Sequence, residues 1–105
     1  MHLALTNVPI GQGDEMAQGL VSAGHAACVN IISGVRSVYI YDGALCDDRE
    51  ETLLIKVAEG ALDGLRQAVL DAHPYSLPEF VVVPVDGAAS SSAFVAWVEA
   101  SFLSA

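Results

Sequence analysis

The sequence predicts an α+β fold, one antiparallel sheet with helices packed on a single side. Three observations carry this expectation. Strand-like and helix-like stretches follow one another in the order β-α-β-β-α-β, with one more helical stretch at the end. Most breaks between them fall at Gly, Pro, Asp or Ser, residues that end helices and turn strands. The chain has 105 residues, enough for one domain and no second. Residues 1–105 are therefore read as a single domain.

Each element has a local cause. His2 to Val8 alternates loosely and stops at Pro9, which suits a first strand. Gly11-Gln12-Gly13 is a loop, Asp14 is the expected N-cap, and Met16, Ala17, Leu20 and Val21 repeat at helical spacing until Gly24 closes the helix. Ala26 to Ile32 is an apolar, β-branched run and reads as a second strand; Ser33-Gly34 permits a bend, and Val35 to Tyr41 alternates again. Asp42-Gly43 is a strong turn signal. The acidic stretch Asp47 to Glu51 reads as a solvated hairpin end, and Thr52 to Val57 as the returning strand. Leu62, Leu65 and Val69 share one face of a helix expected over Gly60 to Ala72. Phe80 to Val85 reads as a fourth long strand. The hydroxyls of Ser90, Ser91 and Ser92 can cap a last helix, whose stripe is Phe94, Val95, Trp97, Val98 and Phe102. This order is the ferredoxin-like split βαβ arrangement, extended by a C-terminal helix.

Composition limits what such a domain can do. The chain is 53% hydrophobic, yet a monomer of this size buries only about two-thirds of its surface. The second sheet face also carries apolar residues, and assembly of copies into a homotrimer is the expected way to cover it. Thirteen acids stand against four bases (Arg36, Arg49, Lys56 and Arg66), a net charge of −9. Such a surface repels phosphate backbones and argues against nucleic-acid binding; it attracts cations. No apolar run reaches the roughly 20 residues of a membrane helix, and the N-terminus lacks the basic and small-residue signals of a secretory leader. Cys28 and Cys46 form neither a CxxC motif nor a disulfide framework, which fits a reducing, cytoplasmic setting.

The most informative segment is His73-Pro74-Tyr75-Ser76-Leu77-Pro78-Glu79. Each proline fixes its own φ and pushes the preceding residue out of the α region. The preceding helix should therefore stop at Ala72, and an imidazole, a phenol and a carboxylate are held on a stiff backbone. No nucleophile elbow, phosphate loop or metalloprotease motif accompanies them. His2 and His25 read as surface residues, Cys28 as a small core residue, and Cys46 as incidental.

Several motifs taken together resemble the CutA divalent-cation-tolerance family. They are Ala26-Ala27-Cys28-Val29-Asn30-Ile31-Ile32, Ser37-Val38-Tyr39-Ile40-Tyr41-Asp42-Gly43, Glu50-Glu51-Thr52-Leu53-Leu54-Ile55-Lys56, the heptapeptide at His73, and Phe94-Val95-Ala96-Trp97-Val98. The resemblance implies a compact trimer similar to the P-II signalling proteins, with clefts between subunits and no established catalysis. It implies a non-enzymatic protein of divalent metal tolerance that binds Cu²⁺ or another divalent cation weakly. His73 is the implied metal ligand, and Cys28, Tyr41, Lys56, Tyr75 and Glu79 the implied cleft residues, with Lys56 paired to Glu79. The alternative is a P-II-like module that holds a small anionic metabolite with Lys56 and His73. The chain also departs from the pattern. Some members carry a Cys and a second His as copper ligands where this chain has Thr6 and Ala72, so His73 alone remains of that set.

Overall fold

The computed structural model describes residues 1–104 and the side chains of residues 1–102. Its elements are β1 (His2–Pro9), α1 (Gly13–Ser22), β2 (Cys28–Tyr41), β3 (Ala44–Val57), a 3₁₀ turn (Glu59–Ala61), α2 (Leu62–Ala72), β4 (Val81–Pro84) and α3 (Ser92–Ser104). The four strands form one sheet in the order β2-β3-β1-β4, every neighbouring pair antiparallel. This is the ferredoxin-like topology that the element order predicts.

Strand alternation sorts the side chains. Ala4, Thr6 and Val8 of β1 and Leu53, Ile55 and Val57 of β3 are buried, and most of them pack with Ala17 and Leu20 of α1 and Leu65 and Val69 of α2 in one core. The opposite face carries Val81 and Val83, which face Leu5 and Leu3 in the ladder and stay about half exposed. α3 packs beside the 3₁₀ turn and β3. Of its expected stripe Val98 is fully buried, while Phe94, Trp97 and Phe102 remain more than two-fifths exposed.

The chief correction concerns the hairpin. The acidic stretch Asp47 to Glu51 is no hairpin end: β3 runs unbroken from Ala44. The chain reverses at Asp42 and Gly43, whose φ angles of 52° and 78° are those of a type I′ turn, and residues 44–50 pair at once with residues 35–41. β2 is likewise one strand, with the bend at Ser33-Gly34 absorbed as a register shift between Ile32 and Val35. β1 pairs β3 only from Glu50 onward, so the outer half of the hairpin is a two-stranded arm. Two opposed charges tie it diagonally: Arg36 grips Asp47 through two hydrogen bonds of 2.8 and 2.5 Å.

Smaller corrections have equally local reasons. Asp14 does not cap α1; it lies in the first turn and bonds Gln18, while the Gly13 N–H donates to Glu51 Oε1 at 2.9 Å. Gly24, at φ 79°, does close the helix, with the His25 N–H bonding the Leu20 carbonyl. The fourth strand is shorter than read, because Glu79 turns its carbonyl to the Thr6 hydroxyl instead of a ladder partner and Pro84 ends the strand. Cys28 is half-buried opposite Lys56 rather than in the core, and His2 and His25 are half-buried rather than exposed.

Candidate functional site

α2 stops where the prolines require. His73 takes an extended ψ of 134° as the C-cap, with its N–H bonded to the Val69 carbonyl. The loop then crosses to the end of β1. Two contacts fix it there: His73 Nε2 lies 2.7 Å from the Asn7 carbonyl, and the Thr6 hydroxyl donates to the Glu79 carbonyl at 2.7 Å. The Tyr75 N–H donates to His73 Nδ1 at 3.2 Å. Nε2 must therefore donate and Nδ1 must accept, so both ring nitrogens are engaged and the Nε2–H tautomer is selected. His73 is 8% exposed, and its ring meets that of Tyr75 at a 51° tilt with centroids 4.8 Å apart. Within the protomer it holds the loop in place; coordinating a metal through either nitrogen means giving up one of these bonds.

Between this loop and the hairpin arm lies a cleft of about 810 Å³. Tyr75, Ser76, Leu77 and Glu79 form one wall; Ser37, Val38, Tyr39 and Tyr41 of β2 and Asp48 and Glu50 of β3 form the other, with Asn7 between them. Ser37, Tyr39 and Tyr41 alternate along β2, and Asp48 and Glu50 along β3, so the pleat turns them to one face. Two phenols bind two carboxylates. Tyr75 donates to Glu50 Oε2 at 2.8 Å, and Tyr39 donates to Asp48 Oδ2. Burial and the neighbouring Glu50 push the Tyr75 hydroxyl up to about 12. The Asp48 hydrogen bond, with a smaller part from burial, pushes Tyr39 up as well. On the arm's other side, the Arg36 guanidinium holds Asp47 below the usual carboxylate range.

The expected site residues divide into two groups. Tyr41, Tyr75 and Glu79 line the cleft and His73 braces it from behind. Cys28 and Lys56 are not there: they face each other across β2 and β3, with Lys56 opposite Leu3 of β1. Glu79 is tied to Thr6, three residues further along that strand, about 10 Å away by strand rise. Within the protomer Lys56 and Glu79 thus do not pair, and Lys56 makes no ion pair among the described residues. Sequence reasoning missed Tyr39, Asp48 and Glu50. Their signal was present: once Ala44 to Val57 is one strand, Asp48 and Glu50 share a face. Among the described residues no three His, Cys, Asp or Glu side chains converge as a metal-binding group.

Comparison with known proteins adds to this geometry. The family model described as CutA1 divalent ion tolerance protein matches residues 2–101. The chain belongs to this family. It is 40% identical over 70 residues to the divalent-cation tolerance protein CutA of Thermus thermophilus, covering 67% of this chain and 68% of that protein. It is 41% identical over 75 residues to the chloroplastic protein CutA 1 of Oryza sativa, covering 71% of this chain but 42% of that protein. The chain thus spans less than half the length of that plant relative. Among solved structures, the PII-like protein CutA from Nostoc in its apo form superposes with a TM-score of 0.93 at 39% identity, covering 97% of each chain. Family membership and superposition agree with the ferredoxin-like fold built up above.

Proposed function

We propose that this CutA1-family chain is a non-enzymatic, homotrimeric, cytoplasmic protein of divalent metal tolerance that binds Cu²⁺ or a similar cation weakly. The observation that carries the reading is the chemistry of the cleft. Its charged lining residues are Asp48, Glu50 and Glu79, and no Lys, Arg or His side chain lines it. Oxygen donors of this kind suit hard divalent cations, while copper draws more strength from nitrogen and sulfur. The same geometry supports the weak-binding reading: two of the carboxylates are occupied by phenols, and among the described residues no three donor groups converge. The anionic-metabolite alternative draws less support from this cleft, because within the protomer Lys56 lies off it and both nitrogens of His73 are engaged.

A calorimetric copper titration of the assembled protein, of Glu50→Gln and of His73→Ala tests this. Weak binding that Glu50→Gln reduces more than His73→Ala does supports it. Tight binding abolished by His73→Ala alone overturns the carboxylate assignment.

A further inference from the structure

Glu50 is a buried carboxylate with no basic partner among the described residues. It is 7% exposed, its one hydrogen-bond donor is the neutral Tyr75 phenol, and it makes no ion pair among the described residues. Burying a carboxylate is costly unless a positive group answers it. The arm's two guanidiniums, on Arg36 and Arg49, pair in the ladder and alternate with the wall residues, so both stand on the arm's other face, where Arg36 is committed to Asp47. A cation entering the cleft is the partner that Glu50 lacks.

The shape of the cleft says what kind of cation. At about 810 Å³ it lies within the roughly 300–1,000 Å³ of small-molecule sites, far more than a coordinated ion fills. Its carboxylates, on Asp48, Glu50 and Glu79, are spread along it rather than gathered at one point. Separated negative charges match separated positive charges on one flexible chain. Tyr39, Tyr41 and Tyr75 add aromatic rings, which attract ammonium groups. Pro74 and Leu77 offer apolar surface on which methylene stems can lie. We infer that the cleft binds a linear aliphatic polyamine, its ammonium groups meeting Glu50, Asp48 and Glu79 and its methylenes lying against the tyrosine and aliphatic walls.

This inference shares its cleft and carboxylates with the copper reading but does not require copper to bind, and spermidine is the probe. Spermidine is titrated calorimetrically into the assembled wild-type protein at constant ionic strength, with copper titrated separately. One spermidine per protomer is expected. Glu50→Gln should weaken it at least tenfold, and Tyr41→Leu severalfold while Tyr41→Phe keeps it. Tyr41 is 55% exposed, so its variants leave the core intact. Asp63→Asn, a surface acid paired with Arg66 away from the cleft, should change nothing. Absence of spermidine binding, or equal weakening by Glu50→Gln and Asp63→Asn, overturns the inference and leaves only diffuse attraction to the negative surface. Copper binding without spermidine binding sinks this inference alone. The opposite result sinks the copper reading alone, and loss of copper binding in Tyr41→Leu would mean that one site serves both.

Discussion

Tyr75 and Glu50, 25 residues apart in sequence, join the loop after α2 to the hairpin arm through a 2.8 Å hydrogen bond. The bond joins the two walls of the cleft and is, among the described residues, the sole hydrogen bond of a carboxylate that is almost fully buried. Tyr75→Phe removes the donor and leaves the acceptor in place. Leaving a buried charged acceptor unsatisfied costs about 1–3 kcal/mol. Urea unfolding should show a loss of that size, with Glu50→Gln giving back part of it in the double variant. A change under ~0.5 kcal/mol, the level of an ordinary surface substitution, would mean that water replaces the phenol.

The same bond sets a limit at high pH. A raised phenol value means that folding favours the protonated form. The stability it contributes is therefore complete below the ordinary tyrosine value of about 10. It is lost as pH rises through the folded value of about 12. Phenolate absorbance should show Tyr75 ionising late, and Tyr39 likewise, since Asp48 opposes its ionisation. Tyr75→Phe and Tyr39→Phe should each remove one late step. If all three phenols of the wild type ionise together near pH 10 while the protein stays folded, neither hydrogen bond persists in solution.

Helix α1 offers a test of packing by the carboxylate beside Asp48 and Glu50. Glu51 points to the other face of β3 and accepts the Gly13 N–H at the helix start, where a negative charge also meets the positive end of the dipole. A Cβ at position 13 would lie 2.7 Å from Glu51 Oε1 and 3.3 Å from Ile31 and Leu53 side-chain carbons. Gly13→Ala should destabilise by about 1–3 kcal/mol, the usual range for overpacking, despite alanine's better helix propensity. Thermal unfolding of Gly13→Ala beside Gly19→Ala, where a Cβ meets nothing within 4 Å, separates the two effects. An equal gain in both would disprove the close contact.

The fold was legible in the sequence because its signals are local: Gly24 closing α1, Asp42-Gly43 turning the hairpin, His73-Pro74 stopping α2. The cleft was half legible. Tyr75 and Glu79 stand out because two prolines bracket them, but Asp48 and Glu50 were hidden in an acidic run that reads as solvent-exposed turn. What makes that run a strand is pairing with residues 35–41, a non-local fact enforced by a two-residue turn. Within one protomer Lys56 does not meet Glu79 for a related reason: the strand register places Lys56 opposite Leu3 and Cys28, and no local pattern reports register.

The last prediction concerns assembly. Val81 and Val83 stay about half exposed on the face away from α1 and α2, within the four-residue edge strand β4, and Ile32 adds to the surplus. Exposed apolar faces and open edges are hazards that association removes. We expect sedimentation equilibrium to give three times the protomer mass of 10.9 kDa at micromolar concentration. The thermal midpoint should lie above the roughly 45–65 °C of ordinary mesophilic domains. Val83→Lys places a charge on that face and should shift the equilibrium toward smaller species. Leu70→Lys, on an exposed position of α2, should not. A wild-type monomer that stays folded, or equal dissociation by both variants, would show that this sheet face is not where the copies meet.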